Sequence, residues 1–171
     1  MIAPETDRLL FRPLDRDDLD ALAAIEADPE VMRYFPSGPR TRAETARDLD
    51  RCIALQAAHG FSLWATIDRA TGLLIGRCGL LPQSLGGRNE VEVAYMIARH
   101  RWGLGLATEA ARALRDHAFG PLGLDRLVSI IHRDNLGSRR VAEKAGLKPE
   151  RMIQFMSHRC WLYAIEAGDR G

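Results

Sequence analysis

The sequence predicts an α/β fold of the α+β kind. It is a mixed, mostly antiparallel seven-stranded sheet with helices on both faces and one parallel strand–helix–strand crossover. Three patterns predict it. Residues 61–67 and 91–97 place apolar side chains at every second position, the period of a strand. Residues 107–119 repeat apolar side chains at i, i+3, i+4, i+7 and i+11, the stripe of a packed helix. Strand, helix and strand follow one another over 90–132, the order of a right-handed crossover between parallel neighbours.

The elements follow in chain order. Residues 5–14 read as a first strand, with Leu9, Phe11 and Leu14 inward. Asp15 can cap a helix over about 16–27, buried through Leu19, Leu22, Ala23 and Ile25. Asp28-Pro29 starts a short helical turn carrying Val31, Met32, Tyr34 and Phe35, because Pro suits the first helical position. Thr41-Arg42-Ala43-Glu44 is a capping box, and the helix it opens runs to about His59 and stops at Gly60. Phe61 to Ile67 is a strand, 68–72 a turn, and Leu73 to Leu81 its hairpin partner. A Pro/Gly/Ser loop covers 82–88. Val91, Val93, Tyr95 and Ile97 alternate with Glu90, Glu92, Ala94 and Met96 in the fourth strand. Ala107, Ala110, Ala111, Leu114 and Ala118 face inward from the next helix. Leu127 to His132 is a strand, and Asn135 caps a helix that ends before Gly146. Strands near 150–156 and 159–167 close the order.

Composition removes several classes of function. The 171 residues suit one domain over 1–171. Apolar residues make up 46% and charged residues 27%, an ordinary globular balance. A net charge of +1 argues against a surface built to grip nucleic acid. Cys52, Cys78 and Cys160 are odd in number and widely spaced, so neither a disulfide framework nor a zinc site is expected, and no metal. Reduced thiols fit the cytoplasm. No apolar run approaches a membrane span, and the N-terminus lacks a signal-peptide stretch.

The most informative segment runs Arg99-His100-Arg101-Trp102-Gly103-Leu104-Gly105-Leu106-Ala107-Thr108-Glu109-Ala110. It lies between a strand and a helix. Gly103 and Gly105 allow unusual dihedrals and close approach of a ligand. The helix start beyond them offers unpaired N–H groups and a positive dipole end, which together form a phosphate cradle. The segment is not a P-loop, since GxxxxGK[ST] is absent, nor a Rossmann fingerprint, which opens its unit and has a third Gly.

With this loop the sequence resembles the GNAT acetyltransferases, in particular their RimJ/RimL-like branch. The resemblance runs from Thr6-Asp7-Arg8-Leu9-Leu10-Phe11-Arg12-Pro13-Leu14, through Gly76 and Glu92-Val-Ala-Tyr95, to Asn135-Leu-Gly-Ser138 and on to Gly146. The superfamily loop is Gln/Arg-x-x-Gly-x-Gly/Ala. Here Trp102 takes the first position, as is common in that branch, and Gly105 and Ala107 fit the others. The resemblance implies acetyl-CoA as cosubstrate, with its pyrophosphate on Trp102, Gly103, Leu104, Gly105, Leu106, Ala107 and Thr108. It implies a pantetheine arm against the backbone of Met96, Ile97 and Ala98, where an N–H stabilises the oxyanion. It implies a contact from Asn135, with Ser138 near the sulfur. An N-cap role for Asn135 and core packing for Met96 and Ile97 stand beside these.

Acyl transfer needs a neutral amine, and a Lys-type acceptor needs a base more than an α-amine does. Glu92 matches an acidic position of the branch and is the candidate base. Glu90 on the same face is the alternative, and two solvated carboxylates are the plain reading. Glu109, in the first helical turn, reads as structural. Many relatives protonate the thiolate with a Tyr after the last helix, but none occurs between 138 and 162. Tyr34, Tyr95 and Tyr163 lie elsewhere, so Ser138 or water must serve. His132 and His158 can titrate near neutrality or simply pack. The expected activity is N-acetylation of a primary amine: a protein N-terminus, amino acid, polyamine or other small amine. The competing class is a non-catalytic acyl-CoA sensor. Monomer and homodimer are both open, with no nucleic-acid or membrane partner.

Overall fold

A computed structural model of the chain describes residues 3–169. The strands are β1 (Leu9–Pro13), β2 (Leu63–Asp68), β3 (Leu74–Leu85), β4 (Arg88–Ile97), β5 (Arg126–His132), β6 (Lys148–Phe155) and β7 (His158–Glu166). The helices are α1 (Leu19–Glu26), α2 (Pro29–Met32), α3 (Arg42–His59), α4 (Leu106–Phe119) and α5 (Leu136–Lys144). The sheet order is β1-β2-β3-β4-β5-β7-β6. Among the described strands only β4 and β5 pair in parallel, joined by the α4 crossover. The predicted mixed, mostly antiparallel seven-stranded architecture is the observed one.

Both faces of the sheet are covered, and the strand period decides which residue meets which layer. On one face, Trp64, Ile75, Val93 and Ile97 pack against Ala110, Ala111, Leu114 and Ala118 of α4 and Ala142 of α5. On the other, Leu63 and Ala65 pack against Leu22 of α1 and Leu49 and Cys52 of α3. Met96 extends that second layer onto Val31 and Met32 of α2. The alternation in β2 therefore sorts two buried faces, not an inside from an outside.

The local signals act as their chemistry dictates. Thr41 Oγ1 accepts from the Glu44 N–H and Glu44 accepts from the Thr41 N–H (2.8 Å), closing the capping box of α3. Gly60, at φ +77°, ends that helix in the left-handed conformation glycine favours. Asp28 caps α2 with Pro29 at its first position. Gly76 of β3 is required for another reason: a Cβ there would stand 2.0 Å from the Met96 carbonyl oxygen on β4.

Two segments depart from expectation. Residues 16–18 form a 3-10 turn before α1. Asp15 accepts from the Asp17 N–H, and Asp18 accepts from the Asp15 N–H while holding Arg12 at 2.6 Å, so the caps tighten the first turn. The expected loop over 82–88 is instead strand. β3 continues to Leu85, turns through Gly86 and Gly87 at φ +57° and +80°, and returns as β4. Pro82 is tolerated because β2 pairs with β3 only as far as Gly79, so no β2 acceptor waits for a donor at 82.

Candidate active site

The glycine loop has the shape its residues imply. Gly103 and Gly105 both sit at φ +77°, and a Cβ at Gly103 would meet nothing within 4 Å. The first bond of α4 runs from the Glu109 N–H to the Gly105 carbonyl (3.0 Å), and no side chain caps the helix. The N–H groups of Leu106, Ala107 and Thr108 thus precede the intrahelical ladder. The loop is held from behind. Arg8 donates to the Leu104 carbonyl (2.9 Å) and to Glu109 (2.6 Å), which Thr6 also bonds. Arg101 pairs with Asp68 at 2.8 Å. Glu109 is structural, and its carboxyl lies below the usual range; burial opposes that shift, but the bonds from Thr6 and Arg8 outweigh it. Trp102 is half exposed, yet its Nε1 donates to the Ile97 carbonyl at 2.7 Å. Such a backbone cradle at a helix N-terminus fits a pyrophosphate.

Beside the loop, β4 and β5 separate. Their parallel pairing is confined to Glu92 and Val128, though β4 runs on to Ile97 and β5 to His132. The Ile130 N–H, two residues beyond Val128, is taken by Glu92 Oε1 at 3.3 Å. The Ala98 N–H bonds the Ile75 carbonyl (2.7 Å), and its carbonyl accepts from Arg101, so both backbone groups of Ala98 are engaged in holding the loop. Because backbone direction alternates along a strand, the Ile97 peptide groups turn away from β3, toward the gap. An extended chain can enter there.

Glu92 and Glu90 are both buried, which removes the reading of two solvated carboxylates. Their partners differ. Glu90 pairs with Arg126 (3.1 Å), which also binds Glu150 and Glu166, each at 2.6 Å. Among the described residues no cation pairs with Glu92. Gln83 Nε2 donates to its Oε2 at 2.7 Å. Burial pushes the Glu92 carboxyl up to about 7 against the pull of Gln83 and the Ile130 N–H. Arg126 and Gln83 escaped sequence reasoning. Gln83 lay in the segment read as loop, and Arg126 carries no motif.

The remaining candidates divide. Asn135 Oδ1 accepts from the Ser138 N–H (3.1 Å) and caps α5. The Ser138 carbonyl accepts from Tyr95 Oη (2.9 Å), whose hydroxyl is pushed up by burial. Tyr163 Oη donates to Glu143 and accepts from Arg139. The His132 ring lies tilted against Tyr34 (5.2 Å between centroids) and meets His158 edge to face (5.1 Å). All three cysteines are free and buried. Among the described residues no group of three His, Cys, Asp or Glu is placed to hold a metal ion, and no helix is long and apolar enough to cross a membrane.

The Acetyltransferase (GNAT) domain family matches residues 8–148. The chain belongs to the GNAT acetyltransferases. It is 35% identical to the uncharacterized protein YkkB of Bacillus subtilis (strain 168), covering 87% of each chain. It is 30% identical to the uncharacterized N-acetyltransferase YoaA of the same organism, covering 88% of this chain and 85% of that one. The crystal structure of an acetyltransferase from Agrobacterium tumefaciens str. C58 superposes with a TM-score of 0.84 at 28% identity, over 97% of this chain and 95% of that one. The GNAT chain is therefore an N-acetyltransferase, and GNAT acetyltransferases use acetyl-CoA.

Proposed function

We propose that this GNAT enzyme moves acetyl from acetyl-CoA to a primary amine by direct attack through a tetrahedral intermediate, with Glu92 as general base. One observation carries the reading: a buried carboxyl without a cation stands where β4 and β5 part. In this reading the loop Trp102–Thr108 holds the pyrophosphate through backbone N–H groups. The Ile97 backbone lines the acyl arm and its N–H faces the developing oxyanion, whereas the Met96 carbonyl is turned to Gly76 of β3, so Met96, expected there too, contributes packing instead. Ala98 contributes by fixing the loop. The Glu92 carboxylate takes a proton from the amine, and a value near 7 suits a base working near neutrality. The Asn135 amide contacts the arm while its carbonyl caps α5. The Ser138 hydroxyl relays a proton to the departing thiolate, taking one up from water as it gives its own, since the Tyr95 and Tyr163 hydroxyls are bonded elsewhere.

The enzyme is read as one domain over 1–171, of the RimJ/RimL-like branch, working in the cytoplasm. Trp102 in the first loop position supports the branch, and three free buried thiols support the compartment. The acceptor class is a protein N-terminus, amino acid, polyamine or other small amine. A polyamine stays in the panel because the spermidine N(1)-acetyltransferase of Escherichia coli (strain K12) is 28% identical over 86% of this chain. The test is thiol release from acetyl-CoA against that panel. On the accepted amine, Glu92→Gln lowers kcat/KM by roughly 10²- to 10⁴-fold near neutral pH, and raising the pH recovers part of it. A Glu92→Gln profile that overlays wild type removes Glu92 from the role.

A further inference from the structure

The carboxyl proposed as base is not held by its own strand. Two donors meet it, Gln83 Nε2 on Oε2 at 2.7 Å and the Ile130 N–H on Oε1 at 3.3 Å. Gln83 stands opposite Glu90 in the β3–β4 register, so its side chain reaches Glu92 diagonally along one face. That reach exists only because β3 continues past residue 81 to the Gly86-Gly87 turn.

We propose that Gln83 is the positioning residue of the reaction: its amide binds Oε2, fixes the carboxylate plane and leaves Oε1 as the oxygen that takes the acceptor's proton. The proposal rests on Glu92 being the base. The transfer breaks an N–H bond of the acceptor ammonium, leaves the electron pair on nitrogen and forms an O–H bond on Oε1. Gln83 donates to the ionised form and so opposes the burial that disfavours it. The other charged or titratable groups around Glu92 act differently. Glu90 on β4 is committed to Arg126 on β5. Tyr95 on β4 and Cys160 on β7 are pushed up by burial first and by Glu92 second or later. His132 lies two residues beyond Ile130 and bonds the Asp134 N–H. Among the described residues none of these hydrogen-bonds the Glu92 carboxyl, so the tuning falls to Gln83, whose bond is the shorter, and the Ile130 N–H.

The test pairs a kinetic with a spectroscopic readout. The acid limb of kcat/KM is measured at saturating acetyl-CoA, and the Glu92 carboxyl is titrated by carbon-13 NMR in wild type, Gln83→Met and Gln83→Glu. Gln83→Met keeps the length of the side chain and loses the donor. Both the limb and the carboxyl midpoint should rise by about one pH unit, with the KM for acetyl-CoA unchanged. Gln83→Glu should raise them further, since a like charge disfavours ionisation. In a Glu92→Gln background Gln83→Met should leave the pH profile unmoved. A folded Gln83→Met enzyme whose midpoint and limb both match wild type overturns the proposal. A midpoint that moves while the limb stays put shows that Gln83 holds Glu92 but that Glu92 is not the base, which overturns the functional reading and the role of Gln83 with it. Should Gln83→Met not fold, Gln83→Glu carries the same two readouts.

Discussion

The indole Nε1 of Trp102 donates to the backbone carbonyl of Ile97 across 2.7 Å, joining the glycine loop to the end of β4. The bond fixes the distance between the two backbones proposed to hold the two ends of one cosubstrate. Trp102→Phe keeps an aromatic ring and removes the donor. The affinity for acetyl-CoA should fall about fivefold, the worth of one hydrogen bond. The ring is half exposed, so the thermal midpoint should hardly change. Calorimetric titration beside a melting curve checks both.

Gly105→Asp separates folding from binding. A Cβ at 105 would meet only Arg8 Nη2, at 3.7 Å, so the side chain fits. The left-handed φ of +77° costs about 1 kcal/mol for a residue other than glycine, and least for Asn or Asp. The new carboxylate stands beside the proposed pyrophosphate position. The variant should fold and lose acetyl-CoA binding by tenfold or more. Unchanged affinity would remove the loop assignment.

The two β4 carboxylates should give opposite phenotypes. Glu90 is buried against Arg126. Replacing it removes the buried partner of a cation that Glu150 and Glu166 still hold, a cost of about 1–2 kcal/mol. Glu90→Gln should therefore lower the urea midpoint and leave kcat/KM near wild type.

Glu92→Gln should do the reverse, with a pH signature. The carboxyl is raised by burial from an ordinary 4.5 to about 7 in the folded chain. As the pH rises above 4.5 the unfolded chain loses this proton first, so stability falls until about pH 7 and is level beyond. Gln carries no proton to lose. Glu92→Gln should match wild type below pH 4.5 and exceed it at pH 8, by up to roughly 3 kcal/mol. Urea unfolding at the two pH values measures the difference.

Gly76→Ala tests the seam between β3 and β4. The added methyl meets the Met96 carbonyl oxygen at 2.0 Å, a backbone atom that cannot rotate away. Overpacking of this kind costs about 1–3 kcal/mol. Because the displaced peptide adjoins Ile97, affinity for acetyl-CoA should fall together with the melting temperature.

Local signals were sufficient for most of the fold. The capping box at Thr41, the Gly60 stop, the Asp28-Pro29 start and the α4 stripe are contacts within a few residues, so the sequence displays them directly. The glycine loop is legible for the same reason: its φ values and the orphan N–H groups of α4 belong to consecutive residues. Tertiary structure decided what depends on neighbours distant in the chain. Residues 82–88 carry turn chemistry, yet β4 supplies a ladder partner up to Leu85 and only Gly86-Gly87 turn. Glu90 and Glu92 share one strand face and look alike in sequence. Arg126 arrives from across the crossover to claim the first, and Gln83 arrives from the hairpin to bind the second. A carboxylate's charge state is set by the solvent it loses and the partners it meets, and both are decided only when the sheet closes around it.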